Sequence, residues 1–410
     1  MNKNILKGLE PGVAEAMDGL ISLFDMNTMR WLARLWDPTA GAFYYSNSGR
    51  DYEGFGPDLE STVQALRCVS QRGMMDDFDC SPDRALPESI KRKLVEFATS
   101  CADPDGYFYH PQWGKNIILS RKGRDLGWAT QIFSWFRATP PYPTAIELLG
   151  NKSEADASLP AHLLSEKAFY EYLDTLDLAH RSYPAGNQLN AQSGQIRAAG
   201  LLDACLDYLD AHQLFTNGLW ESEVNYVSVS GLMKVASLYA SAGRMLPNYE
   251  KAVSSCLEAA LSPERPDAVV YVYNPHSAVG SIRNAMQRLG DKAAVDYVNS
   301  RYEAEIIPLI NRTREKLSIF RKADGSFSYI PEYSSHISQS APVALYHENE
   351  GDVNATTIAI SGGAGCLFSN LNIPFKIYDR ADLDEFISIM LSRGPIVKKP
   401  VPADRLPPKK

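Results

Sequence analysis

The sequence predicts an all-α protein built as an α/α toroid, with about six inner helices inside about six outer ones. Three observations predict it: a Gly-containing turn that recurs along the chain, helices with polar entries and small interior residues, and charged amphipathic helices between them. With 410 residues, 45% hydrophobic and 22% charged, the chain can bury a large core. Residues 1–394 read as a single domain, and the Pro- and Lys-rich segment 395–410 as a disordered tail.

The turn occurs four times: Asp37-Pro-Thr-Ala-Gly-Ala-Phe43, Asp103-Pro-Asp-Gly-Tyr-Phe108, Thr216-Asn-Gly-Leu-Trp220 and Ala323-Asp-Gly-Ser-Phe327. Asp and Asn hydrogen-bond their own backbone and Gly accepts positive φ, so each instance reverses the chain. Phe43, Phe108, Trp220 and Phe327 stand at nearly constant spacing from the turn and are expected to anchor it. Their neighbours Tyr45, His110 and Tyr329 are expected to face a ligand.

Six helices are entered alike, at Asp58, Asp125, Asn190, Asn225, His276 (behind Asn274-Pro275) and Asp352. Asp, Asn or Ser at such a position accepts the orphan N–H groups of a first turn. The interiors are small-residue-rich, as in the run 356–365, where each Gly costs roughly 1 kcal/mol relative to Ala. Such helices persist only when packed closely on neighbours. Segments 19–35, 87–101, 165–176, 249–261 and 293–320 mix charged and apolar residues at helical spacing and read as outer helices. The best strand signal is 268–273, Ala-Val-Val-Tyr-Val-Tyr.

Asp/Asn-x-Gly-x-Phe/Trp turns ahead of inner helices resemble the α/α-toroid group. That group includes six-hairpin glycosidases, toroid polysaccharide lyases, and the terpenoid-cyclase and prenyltransferase barrels. The resemblance spans most of 20–392 and is architectural. It implies inner helices running one way, with their N-termini around one mouth that carries partial positive charge.

At that mouth, Asp58, Glu60, Asp125 and Asp352 are the candidate acid, base or nucleophile carboxylates of a hydrolase. Tyr226 with His276 or His110 is the candidate proton-transfer pair of a lyase. Tyr45, Arg50, His110, Trp113, Arg124, Asn190, Asn225, His336 and Asn354 are the candidate substrate contacts. The long connection between Tyr329 and Asp352 reads as a lid or binding loop. The leading expectation is a carbohydrate-active enzyme of glycoside hydrolase or polysaccharide lyase type. The alternatives are a terpenoid or prenyl-type enzyme, or a non-catalytic toroid binding an oligosaccharide or a protein. The acidic run 76–79, Asp-Asp-Phe-Asp, falls after the first inner helix and reads as a solvated loop.

A net charge of −8 argues against nucleic-acid and membrane-surface partners and leaves a neutral or locally cationic small molecule or oligosaccharide as the expected ligand. Six scattered cysteines fit reduced thiols better than a disulfide frame or zinc site, and no cofactor or metal motif stands out. The opening residues lack a secretory pattern, so a cytoplasmic location is expected.

Overall fold

The computed structural model describes residues 6–150 and 160–405. Its regular structure is overwhelmingly helical. Among the described residues the strands form two short antiparallel pairs: β1 (Trp36–Asp37) with β2 (Ala42–Phe43), and β3 (Ile337–Ser338) with β4 (Ala341–Pro342).

Six helices carry the small-residue and polar segments: α1 (Leu59–Ser70), α2 (Leu119–Trp135), α3 (Leu178–Ala191), α4 (Tyr226–Ala242), α5 (Val270–Leu289) and α6. The last runs over 353–370 as Val353–Thr357, a π-helical Ile358–Ala364 and Gly365–Asn370. Each packs on the next, and α6 packs back on α1. Side-chain contacts fix the direction of five of these neighbour pairs. Glu60 meets Arg121 while Arg67 meets Gln131; Gly186 lies on Lys234 while Asn190 bonds Ser237. Tyr226 stacks on Tyr271 while Asn274 bonds Ser230; Tyr273 lies on Gly362 while His276 bonds Asn370. Gln64 bonds Asn354 while Arg72 bonds Ser361. Rising number matches rising number, so these neighbours run in the same direction.

Amphipathic helices cover the outside of this set. Glu88–Ser100 packs on α2, Leu202–His212 on α4, and Tyr249–Leu261 and Lys292–Ala304 on α5. The four repeated turns are wedged against other elements. Gly41, Gly106, Gly218 and Gly325 have φ of +79°, +84°, +72° and +89°, the left-handed region where a side chain is strained. A Cβ on them would also lie 2.5 Å from Lys93 O, 2.6 Å from Ala145 N, 2.4 Å from Ala252 N and 2.7 Å from Thr28 N. Asp37, Asp103, Asn217 and Asp324 each accept the N–H two residues on, at 2.8 to 3.1 Å. Phe43, Phe108, Trp220 and Phe327 are buried beneath. Two repeats match closely: the N–H of Phe43 donates to Thr62 and that of Phe327 to Thr356, each threonine four residues after a capping aspartate, Asp58 or Asp352.

Three helix entries differ from expectation. Asp58, Asn225 and Asp352 cap α1, α4 and α6. In contrast α2, α3 and α5 begin at Leu119, Leu178 and Val270, so Asp125, Asn190 and His276 lie inside helices. The expected strand 268–273 mostly forms the first turn of α5. There, packing overrides the strand preference of Val and Tyr, and Val270 and Val272 are buried. In α3, Pro184 lacks an N–H and crowds the preceding turn, and the backbone breaks at Arg181 (φ −140°, ψ 39°).

Among the outer segments, 19–35 is divided where Asp25 caps a new helix, and 293–320 is divided at Glu305. The first part of the expected disordered tail lies along the body. Lys398 Nζ donates to Gly49 O (3.1 Å) and Tyr52 O (3.2 Å), and Lys399 exchanges backbone bonds with Asp51 and Glu53. Residues 406–410 lie outside the described residues. All six cysteines are unpaired, and among the described residues no helix is long and apolar enough to cross a membrane.

Candidate functional site

Arg121, in the first turn of α2, is fully buried and reaches three carboxylates. Its guanidinium lies 3.3 Å from Asp58, 3.1 Å from Glu60 and 2.9 Å from Asp125, which follows it by one helical turn. Trp113 covers the open face at 4.3 Å. Asp58 also accepts from Ser61 N (2.9 Å) and Ser61 Oγ (2.7 Å), as a helix cap does. Asp125 leaves Oδ1 without a partner, and burial pushes its carboxyl up to about 7 against the pull of Arg121. Glu60 differs. Burial opposes its ionisation, but Arg124 at 2.7 Å, Arg121 and the Ser338 hydroxyl at 2.7 Å hold it below the usual carboxylate range.

The connection between Tyr329 and Asp352 lies over this cluster. Its hairpin β3–β4 turns through Gln339 and Ser340, both at positive φ, and Gln339 Oε1 accepts from Ser120 Oγ (2.8 Å) and Asn187 Nδ2 (3.0 Å). Its tip thereby bridges α2 and α3.

Below the hairpin, side chains from all six helices face one another. Arg67 bonds Gln131 (3.1 Å) and lies 4.7 Å over Trp128, so α1 meets α2. Arg124 bonds Asn187 at 3.0 Å, so α2 meets α3. The Lys234 ammonium of α4 stands 5.7 Å over the Tyr183 ring of α3, and Tyr183 in turn meets Tyr329 and Asn274. Tyr273 of α5 faces Arg67 and Tyr183, and Asn354 of α6 accepts from Gln64 at 3.0 Å. Arg67, Arg124, Trp128, Tyr183, Lys234, Tyr273 and Asn354 keep partial exposure, although on α1, α4, α5 and α6 most of the residues around them are buried. Lys234 is nevertheless deep: burial, with Arg124 adding to it, pushes its ammonium down to about 7. Gln64 Oε1, Trp128 Nε1, Asn274 Oδ1 and Ser361 Oγ are buried and find no partner within the protein.

The residues singled out in the sequence divide into two groups. Asp58, Glu60, Asp125, Arg124 and Trp113 come together, with Asn354 joined through Gln64. Asp352 stands nearby and caps α6, accepting from Ala355 N (2.7 Å) and Tyr329 N (3.0 Å); burial pushes its carboxyl up to about 7. Tyr45 faces Asp352 but is 1% exposed, and His110 is 7% exposed against Phe97 and Trp113, so neither presents a ligand-facing surface.

The others lie elsewhere. Tyr226 donates to Glu264 O at 2.6 Å, and with Asn225 it lines a separate cavity of about 410 Å³. His276 is sealed between Tyr302 (3.2 Å) and Thr313 (3.1 Å), where burial pushes it down to about 3, so it does not pair with Tyr226. Asn190 sits in the last turn of α3, bonded to Lys234 O and Ser237. Arg50 pairs with its neighbour Asp51, and His336 packs edge-on to Tyr346.

Sequence reasoning missed Arg121, Gln64, Arg67, Trp128, Tyr183, Lys234 and Tyr273. Two signals were available: Arg121 precedes Asp125 by one helical turn, and Lys234 is the one charged residue in the 17 of α4. Compared with known protein families, curated proteins and solved structures, the chain matches none of them.

Proposed function

We propose that α1 to α6 form the inner ring of an α/α toroid and that their chamber receives a saccharide, the chain being a carbohydrate-active enzyme of hydrolase or lyase type. The observation that carries this reading is the lining. Trp128, Tyr183 and Tyr273 offer partly exposed aromatic faces for sugar rings, and the partly exposed Arg67, Arg124, Lys234 and Asn354 offer polar groups for hydroxyls. The cyclic order of neighbours supports the ring. Such a polar lining suits a carbocation poorly, which weighs against the terpenoid alternative.

Of the four candidate carboxylates, Glu60 is the one bonded to a chamber side chain, Arg124. Asp58 and Asp352 are committed to backbone N–H groups, and Asp125 is closed off behind Arg121. Elimination, which needs a base and cations rather than two free carboxylates, therefore draws more support than hydrolysis. Tyr183 takes the proton-transfer place of the Tyr226–His276 pair, and Lys234 supplies a cation beside it. The same capping contacts favour a second reading, a binding protein without turnover.

The test is incubation with neutral and acidic polysaccharides, following reducing ends and unsaturated products. Glu60→Gln is expected to lower turnover by roughly a hundredfold or more, while Asp125→Asn acts chiefly on stability. Unchanged turnover in Glu60→Gln removes that residue from the chemistry, and binding without turnover favours the second reading.

A further inference from the structure

We infer that the chamber is a site for an acidic saccharide, whose carboxylates are taken by Lys234 and Arg67. This rests on the saccharide reading and adds the ligand's charge. Three cations, Arg67, Arg124 and Lys234, face the chamber against one carboxylate, Glu60. Arg124 is committed to Glu60 and Asn187. Behind Glu60, Arg121 is shared among Asp58, Glu60 and Asp125 and contributes no free positive charge.

Arg67 has an amide oxygen and an indole face for company, and Lys234 a phenol face. Among the described residues neither forms an ion pair with a carboxylate. Holding two such cations in an interior is costly unless a counter-charge arrives. Burial pushes both groups toward their neutral forms, and a carboxylate placed beside them would reverse that push. The chain as a whole carries −8. Attraction for an acidic ligand therefore has to come from this interior pair rather than from the surface.

The experiment is calorimetric titration of the full chain, at low salt, with oligomers of galacturonate, glucuronate, mannuronate and guluronate. Each is compared with its methyl ester, which keeps the hydroxyls and removes the charge. At least one acid is expected to bind roughly tenfold or more tighter than its ester, about 1.4 kcal/mol. Lys234→Met and Arg67→Met should each bring the acid down toward the ester's affinity, and Lys234→Arg should retain the preference. Melting temperatures of the variants separate lost binding from lost folding, and the acid–ester comparison needs no variant at all.

Equal binding of acid and ester overturns the charge inference and leaves the saccharide reading standing. Binding of inorganic phosphate or citrate, lost in Lys234→Met, with no uronate bound, keeps an anion site and overturns the saccharide reading. Failure of every uronate and every ester to bind overturns both.

Discussion

Replacing Arg121 by Met tests the centre of the site most directly, because Met keeps most of the side-chain volume and removes the charge. Three carboxylates lie 2.9 to 3.3 Å from the guanidinium, all of them 1% exposed or less. At an effective dielectric constant near 20, each contact is worth on the order of 5 kcal/mol gross, most of it offset by desolvation. Breaking a buried pair by deleting one partner costs about 3–5 kcal/mol, and loss of the Trp113 contact adds about 0.5–2 kcal/mol. Against a total stability of about 5–15 kcal/mol, Arg121→Met should therefore lower the unfolding free energy by at least about 3 kcal/mol near pH 7.5.

The deficit must also depend on pH. Glu60 is held below its ordinary value in the folded state, so its contribution is present above the unfolded value and fades as pH falls through the folded one. Asp125 runs the other way. Raised to about 7, it is destabilising where it is ionised, and protonation relieves it. Without Arg121, Glu60 and Asp125 each lose a counter-charge and resist ionisation more, so the deficit should shrink by about half or more near pH 5. Urea unfolding followed by circular dichroism measures both quantities. The double variant Arg121→Met/Asp125→Asn should lose less than the sum of the singles by about 1–3 kcal/mol. A deficit under about 1 kcal/mol, or one that ignores pH, would refute the reasoning.

Two further outcomes follow from the scaffold. Gly41→Ala and Gly325→Ala should each cost more than about 2 kcal/mol, whereas Gly54→Ala, at φ +81° with nothing near its Cβ direction, should cost only about 1 kcal/mol; thermal melts rank them. His276, neutral and pushed down to about 3 from 6.5, leaves stability intact above about pH 6.5 and erodes it as pH falls toward 3, by up to about 1.4 kcal/mol per pH unit. In His276→Gln that share of the acid sensitivity should vanish, which urea midpoints compared between about pH 4 and pH 7 would reveal.

The recurring turns could be read from the sequence because their chemistry is local: an Asx oxygen and a positive-φ glycine act within four residues. Caps at Asp58, Asn225 and Asp352 were legible for the same reason. The entries of α2, α3 and α5 were not, because Asp125, Asn190 and His276 are mid-helix polar residues satisfied by side-chain and cross-helix contacts, and in sequence they imitate a helix start. The carboxylate cluster was half legible. Asp58, Glu60 and Asp125 stood out as acids, but Arg121, which gathers them from two helices, has partners 61 and 63 residues away. Lys234 was legible only as an oddity, since what it faces comes from α1, α2 and α3.

The wedge glycines have a consequence for how such a chain varies. At four places a turn and the element beside it are held at the closest approach backbones allow, so neither can slide without moving the other. Four rivets of this kind fix the spacing of the framework independently of what lines its interior. The inward-facing side chains are then free to diverge over generations while the frame keeps its dimensions.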